Sequence, residues 1–289
     1  MDYKLYLLSK GYTDEHGYFA LPQGSRTEVQ SLLVRADKVW SGLAQENPIS
    51  AAAASEKVDW YTKYPELVET EIDDNDKTVL DAGCGYGRIA IPLLRKHPQL
   101  DIIAVDASST MLQLFHQLLK KENISNYERR VVLLHSGIHQ LPFPDGGFDC
   151  IYSSAVLLHN PYDHVEEIIR EFYRLLRPNG KLLLASSFPN LYNLEGLQNY
   201  FYSKYCISED ANGPVRPYTR NRVIKLFHNW SDLKIIPNGV VLLPRQVANI
   251  KMPFGNFIRR INSWLDNKKF EFIFKTSIFT KHFDVIAKK

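Results

Sequence analysis

The sequence predicts a doubly wound α/β domain with a mainly parallel sheet, on three observations. Short apolar runs recur between 78 and 185, helical patterns fill the intervals between them, and a glycine-rich turn follows the first run. At 289 residues the chain exceeds the ~150-residue prior for one domain, so it holds one large α/β domain with an appendage or two smaller domains. Its composition, 45% apolar and 23% charged, is that of a folded globular chain and excludes a disordered or collagenous polymer.

Strands are predicted at 78–80, 102–105, 131–134, 148–153 and 181–185. Helices fall at 88–96, 108–121 and 163–176, the last stopped by Pro178, Asn179 and Gly180. Before this core, residues 1–75 show no strand pattern. Stretches 27–44 and 49–68 have the alanine, leucine and spaced aromatics of helices, and they form a helical N-terminal cap. The rhythm breaks after Ser187. Residues 188–232 read as an insertion with a helix near 219–229. Residues 233–289 add a strand at 233–243, an amphipathic stretch at 254–265 and a last strand at 276–287, placed antiparallel, which complete the 76–187 core.

Charge and cysteine usage narrow the function classes. Lys and Arg number 35 against 32 Asp and Glu, a net +3, too little for the footprint of a dedicated nucleic-acid binder. The three cysteines, Cys84, Cys150 and Cys206, show no paired spacing, which argues against a disulfide framework or a zinc site and for a reducing, cytoplasmic setting. The N-terminal stretch lacks the apolar core of a signal peptide, and no apolar run approaches the ~18 residues of a membrane span.

The motif that carries chemistry is VLDAGCGYGR at 79–88, an apolar strand running into Asp81 and the turn Gly83, Cys84, Gly85, Tyr86, Gly87. Glycines there let the backbone turn sharply and let a cofactor approach where a Cβ would collide. The second strand ends in Asp106, about twenty residues on, where a carboxylate accepts hydrogen bonds from ribose hydroxyls. A plain strand-to-helix turn with a capping acid would not need three glycines. A nicotinamide dinucleotide site would read Gly-x-Gly-x-x-Gly, whereas here the third glycine comes one position early and Arg88 takes the final place. Asp81 suits the ammonium of an amino-acid moiety better than a pyrophosphate.

With VLDAGCGYGR, the blocks AVDAS (104–108), LPFPDGGFDCIYSSAVLLH (141–159) and REFYRLLRPNGKLLLAS (170–186) resemble, in order and spacing, the class I S-adenosylmethionine-dependent methyltransferases, in the branch that methylates small molecules. The resemblance covers 76–187 strongly and 215–287 weakly. It implies the Rossmann-like fold of that class and S-adenosyl-L-methionine as cofactor. By it, Asp81, Gly83 and Gly85 line the methionine end; Cys84 stands in the same cofactor-binding turn and by its own chemistry reads as a small packing residue rather than a nucleophile. Asp106 binds the ribose, Ala107 and Met111 flank the adenine, and Ser153 and Ser154 abut the sulfonium. One departure stands out. The third strand of the family usually ends in Gly-Asp, the Asp meeting the adenine amine, but here Ser136 and Gly137 stand there, followed by Ile138. Either Ile138 packs on the adenine face while backbone groups replace the carboxylate, or the match slips by one residue.

His159, just past the fourth strand, is read either as a general base for an acceptor hydroxyl or as a loop histidine bonded to backbone. Asn160, Pro161 and Tyr162 resemble the amine clamp of nucleic-acid methyltransferases but stand too far past the strand, and they start the next helix instead. Asp163 and His164 lack further ligands at metal-binding spacing, so no metal is expected. Tyr192, Tyr200, Phe201, Tyr202, Tyr205 and Tyr218, with Arg216 and Arg220, suit the roof of an organic acceptor pocket or simple core packing. Residues 254–270 place Phe254, Phe257, Ile258, Ile261, Trp264 and Leu265 on one helical face with Arg259, Arg260, Lys268 and Lys269 for charge. That helix packs on the protein's own sheet, or meets an anionic membrane or lipid-linked acceptor. FPN at 188–190, NGPVR at 212–216 and YTR at 218–220 resemble methyltransferases of glycan and secondary pathways, which implies O-methylation of a sugar, glycolipid or polyketide hydroxyl. C- or N-methylation of a small metabolite, and a non-catalytic cofactor-binding subunit, are the alternatives.

Overall fold

The computed structural model describes residues 1–22, 37–38, 41, 66–205, 215–240 and 280–289. The chain divides into two compact units, one of Met1–Ser154, Glu167–Leu183 and Lys289, the other of Ala155–Glu166 and Leu184–Lys288.

The first unit is built on parallel strands. β3 (Thr78–Ala82), β4 (Asp101–Asp106), β5 (Val131–His135) and β6 (Phe148–Ser154) each extend the expected apolar runs by a residue or more. β3 pairs in parallel with both β4 and β6, and β4 pairs with β5. Val79, Leu80, Ile102, Ala104, Leu134 and Ile151 are fully buried, as expected where helices cover both faces of a parallel sheet. Burying each such Val, Leu or Ile side chain contributes about 1.5–3 kcal/mol. The crossovers are α3 (Ala90–Lys96), α4 (Ser109–Lys121) and the short α5 (Tyr127–Arg130). Ser108 caps α4 by accepting from the Met111 amide. Arg130 is buried, and its guanidinium donates to the carbonyls of Leu94, His97 and Leu100 at 2.7–3.1 Å, satisfying the C-terminal end of α3.

The N-terminal region departs from the sequence expectation. Residues 13–20, read as strandless, form a hairpin of β1 (Thr13–Asp14) and β2 (Phe19–Ala20), and β2 adds in parallel to β5 at Phe19 and Leu134. Two-residue strands are too short to show alternation, and the turn is set by His16 and Gly17 at positive φ with the Gly17 amide donating to Asp14. Helix α1 (Tyr3–Ser9), N-capped by Asp2, precedes it, and α2 (Glu66–Glu71) follows. Of the cap helices expected at 27–44 and 49–68, all but residues 37–38, 41 and 66–68 lie outside the described residues. The strand order in this unit is β1-β2-β5-β4-β3-β6-β7, where β7 (Leu176–Pro189) follows α6 (Tyr162–Leu175).

In the second unit, which takes β7 from Leu184 on, the strand order is β7-β9-β8. β8 (Asp232–Val240) and β9 (Thr280–Lys288) pair antiparallel over Asp232 to Lys288, so the expected antiparallel last strand is present. Helix α7 (Leu194–Tyr205) and helix α8 (Arg220–Leu226), capped by Thr219, occupy the segment read as an insertion. Tyr162, Phe188 and Tyr218 pack edge-to-face here, with ring centroids 4.9–5.1 Å apart. Cys206 and the amphipathic stretch at 254–270 lie outside the described residues.

Candidate functional site

The site forms where β3 and β4 end side by side in the first unit. After Ala82 the chain turns, and the amides of Gly83 and Cys84 both donate to the Val105 carbonyl at 2.8 and 3.0 Å, fastening the turn to the neighbouring strand. Gly83, Gly85 and Gly87 all take positive φ (83°, 54° and 83°), a backbone that glycine adopts at no steric cost. The glycines differ in what surrounds them. A Cβ on Gly87 would fall 2.2 Å from the Phe115 ring, so this glycine exists for close packing against α4. A Cβ on Gly85 would meet nothing within 4 Å, so this glycine faces open space.

Asp106 joins the two turns. Its Oδ2 accepts from the Gly85 amide at 2.7 Å and its Oδ1 from the Ser108 amide at 2.8 Å. An ionised carboxylate has about four lone-pair directions, so each oxygen keeps capacity for a ribose hydroxyl. Burial pushes the Asp106 carboxyl up to about 6, against the pull of those backbone amides.

Asp81 is only 2% exposed, and burial pushes its carboxyl up to about 8. The hydroxyl of Tyr152, fully buried on β6, donates to its Oδ2 at 2.8 Å and opposes that rise, as does the charge of Arg88. Tyr152 is a partner of Asp81 that sequence reading missed. Its only sequence signal is its place in the strand beside β3, which matters once Asp81 and Tyr152 are known to pair in register.

The remaining expected residues fall as follows. Met111 and Tyr86 form a buried cluster against Leu114 and Leu118, between the glycine turn and α4. The Ala107 carbonyl lies 3.1 Å from His135 Nε2. Ile138 is buried, and Gly137 leaves room for the His139 ring, which a Cβ would approach to 2.7 Å. The Ser153 hydroxyl is turned inward and donates to the Ala82 carbonyl at 2.7 Å, tying β6 to β3, whereas Ser154 is half-buried at the strand end. Cys84 is buried, and burial holds its thiol well above the usual range, as befits a packing residue. His159 belongs to the second unit. It ends the 3₁₀ turn Leu157–His159, and its carbonyl accepts from Arg216 Nη1 at 2.8 Å. Among the described residues no group of His, Cys, Asp or Glu is arranged to hold a metal ion.

Residues 79–180 match the methyltransferase domain family. A demethylmenaquinone methyltransferase of Geobacillus sp. (strain WCH70) is 32% identical over 131 residues, 45% of this chain and 53% of that protein. The demethylmenaquinone methyltransferase of Listeria welshimeri is 29% identical over 147 residues, 50% of this chain and 58% of that protein. The chain thus spans little more than half the length of the curated relatives it matches. A solved S-adenosylmethionine-dependent methyltransferase from Methanosarcina mazei shares the fold with a TM-score of 0.51 at 16% identity, covering 78% of this chain and 98% of that one. A geranyl diphosphate methyltransferase, solved with GPP and sinefungin, shares it with a TM-score of 0.50 at 13% identity, covering 77% and 74%. Residues 79–180 thus match a methyltransferase domain, and the fold around them is shared with a solved S-adenosylmethionine-dependent methyltransferase.

Proposed function

We propose that the chain transfers a methyl group from S-adenosylmethionine to a small organic acceptor. The observation that carries this reading is the pair of carboxylates, buried Asp81 and half-buried Asp106, near the ends of adjacent parallel strands, with open space at Gly85, whose amide donates to Asp106. Asp81 pairs with the cofactor's ammonium, Asp106 holds the ribose hydroxyls, and the turn amides and glycines admit the methionine chain. Ala107, Met111, Gly137 and Ile138 form the adenine side. Tyr152 keeps Asp81 aimed, and Ser153 holds the strand whose end, at Ser154, borders the sulfonium. The cofactor supplies an already activated methyl group, so the protein's task is in-line positioning and exclusion of water. His159 serves as the base that accepts a proton from the acceptor.

For the acceptor, the names of the curated relatives favour a demethylmenaquinone-like quinone, methylated at carbon. The hydroxyl of a sugar, glycolipid or polyketide is the second reading, and only the short loops at 188–190, 212–216 and 218–220 favour it. The enzyme works in the cytoplasm, and the basic amphipathic stretch 254–270 brings it to an anionic membrane when the acceptor is lipid-like. No helix among the described residues is long and apolar enough to cross a membrane. The test is to incubate the chain with methyl-labelled S-adenosylmethionine and either a demethylated quinol or fractionated glycolipid. Label in the quinol ring supports the first acceptor, label on a glycolipid oxygen supports the second, and label in neither, with any organic extract, defeats the proposed activity.

A further inference from the structure

The turn after β4 presents two consecutive backbone amides, and each meets a different carboxylate. The Ser108 amide donates to Asp106 Oδ1 at 2.8 Å, and the Ser109 amide donates to Asp37 Oδ1 at 2.9 Å. Asp106 is part of the strand end, whereas Asp37 comes from the N-terminal segment, 72 residues earlier than Ser109. Asp37 and its neighbour Ser41 are held at several points. The Ser109 hydroxyl reaches both Asp37 oxygens, at 3.1 and 3.3 Å, and the Ser41 hydroxyl donates to Asp37 Oδ1 at 2.7 Å. Ser41 Oγ also lies 2.8 Å from the Oγ of Ser108, the residue that caps α4. Amides at the start of this 13-residue helix favour negative charge there.

Docking alone does not use the whole carboxylate. Oδ1 takes three donors, but among the described residues Oδ2 has only the long contact with Ser109 Oγ and stands 3.7 Å from His135 Nε2. That last separation is beyond hydrogen-bond range, and Nε2 lies closer, at 3.1 Å, to the Ala107 carbonyl. Oδ2 therefore keeps acceptor capacity, on a side chain that is 27% exposed. The end of β5 offers no carboxylate of its own, since His135, Ser136 and Gly137 stand there.

We infer that Asp37 is a cofactor-binding residue, whose Oδ2 accepts a hydrogen bond from the adenosine portion of S-adenosylmethionine while its Oδ1 fastens the N-terminal segment to the same turn. The inference rests on the cofactor reading above. The donor is either the adenine amine or a ribose hydroxyl, which present the same chemistry to a carboxylate.

Calorimetry on the full chain tests this with four ligands: S-adenosylhomocysteine, its inosine analogue, which lacks the amine, and its 2′- and 3′-deoxy analogues. Asp37→Ala is expected to weaken S-adenosylhomocysteine by about tenfold or more and to abolish the preference for it over the analogue that lacks the donor. Loss of preference against the inosine analogue assigns the amine, and loss against a deoxy analogue assigns the ribose. Ser41→Ala removes a docking bond but leaves Oδ2 in place, so it keeps the preference. If Asp37→Ala does not fold, Asp37→Asn, which retains an oxygen for Ser109, reads the same loss. Binding by the Asp37 variants within about twofold of wild type, or equal weakening of every ligand with the preference intact, overturns the inference. Absence of S-adenosylhomocysteine binding by the wild type defeats the cofactor reading itself, and this inference with it.

Discussion

A carboxyl as buried as Asp81 resists ionisation until a cation arrives, and burial is the cause of its rise to about 8. In the folded protein it therefore binds a proton that the unfolded chain has already released between about pH 4 and pH 8, so its contribution to stability falls as pH rises through that window. Asp81→Asn is expected to raise the melting temperature by a few degrees at pH 8 and to change it little at pH 4, as thermal unfolding at the two pH values checks. The same substitution removes the partner of the cofactor's ammonium. In the wild type, affinity for S-adenosylhomocysteine should climb between pH 6 and 8, by up to about tenfold per unit, and in the variant it should be weak and flat across that range. His159 is a separate case. If it serves as the base, His159→Ala lowers turnover by about 10²-fold with cofactor affinity unchanged, and a fall below about threefold marks it as a loop residue whose carbonyl simply receives Arg216.

At the scale of elements, the glycine turn separates structure from function residue by residue. Gly87→Ala drives a Cβ into Phe115 on α4 and should cost about 1–3 kcal/mol, seen as a melting temperature lowered by several degrees. Gly85→Ala meets open space, so its stability cost is only the left-handed backbone penalty of about 1 kcal/mol, while cofactor affinity should drop steeply. Equal melting temperatures with equal affinities in the two variants would contradict this division. The sequence made the strands, crossover helices and this turn legible because each rests on local signals: apolar runs of strand length, glycines at positive φ and a strand ending in Asp106. It did not announce the contacts made across distance. Tyr152 and Asp81 meet over a separation of 71 residues, Asp37 and Ser109 over 72, and β1 with β2 is too short to leave a periodic trace. Ser153 was placed on the correct strand, but its hydroxyl serves the strand pairing, because a fully buried hydroxyl must find a partner and the Ala82 carbonyl is adjacent.

For the whole molecule, the methyltransferase-domain match covers residues 79–180 and the likeness to curated relatives covers about half of each chain, so cofactor and acceptor stand on different ground. A net charge of +3 leaves room for a local basic surface, and the sequence of residues 254–270 supplies Arg259, Arg260, Lys268 and Lys269. Vesicles of anionic lipid should sediment the protein at low salt and release it when Arg259 and Arg260 are changed to Glu, whereas no sedimentation at low salt would remove the membrane from the account. The central claim, that the paired carboxylates and glycine turn hold S-adenosylmethionine, is tested most directly by calorimetry of the full chain with S-adenosylhomocysteine and with NAD. S-adenosylhomocysteine is predicted to bind while NAD does not, and Asp106→Ala is predicted to cost about 1.5–3 kcal/mol of that binding. Binding of NAD in its place, or affinity for S-adenosylhomocysteine unchanged by Asp106→Ala, would contradict it.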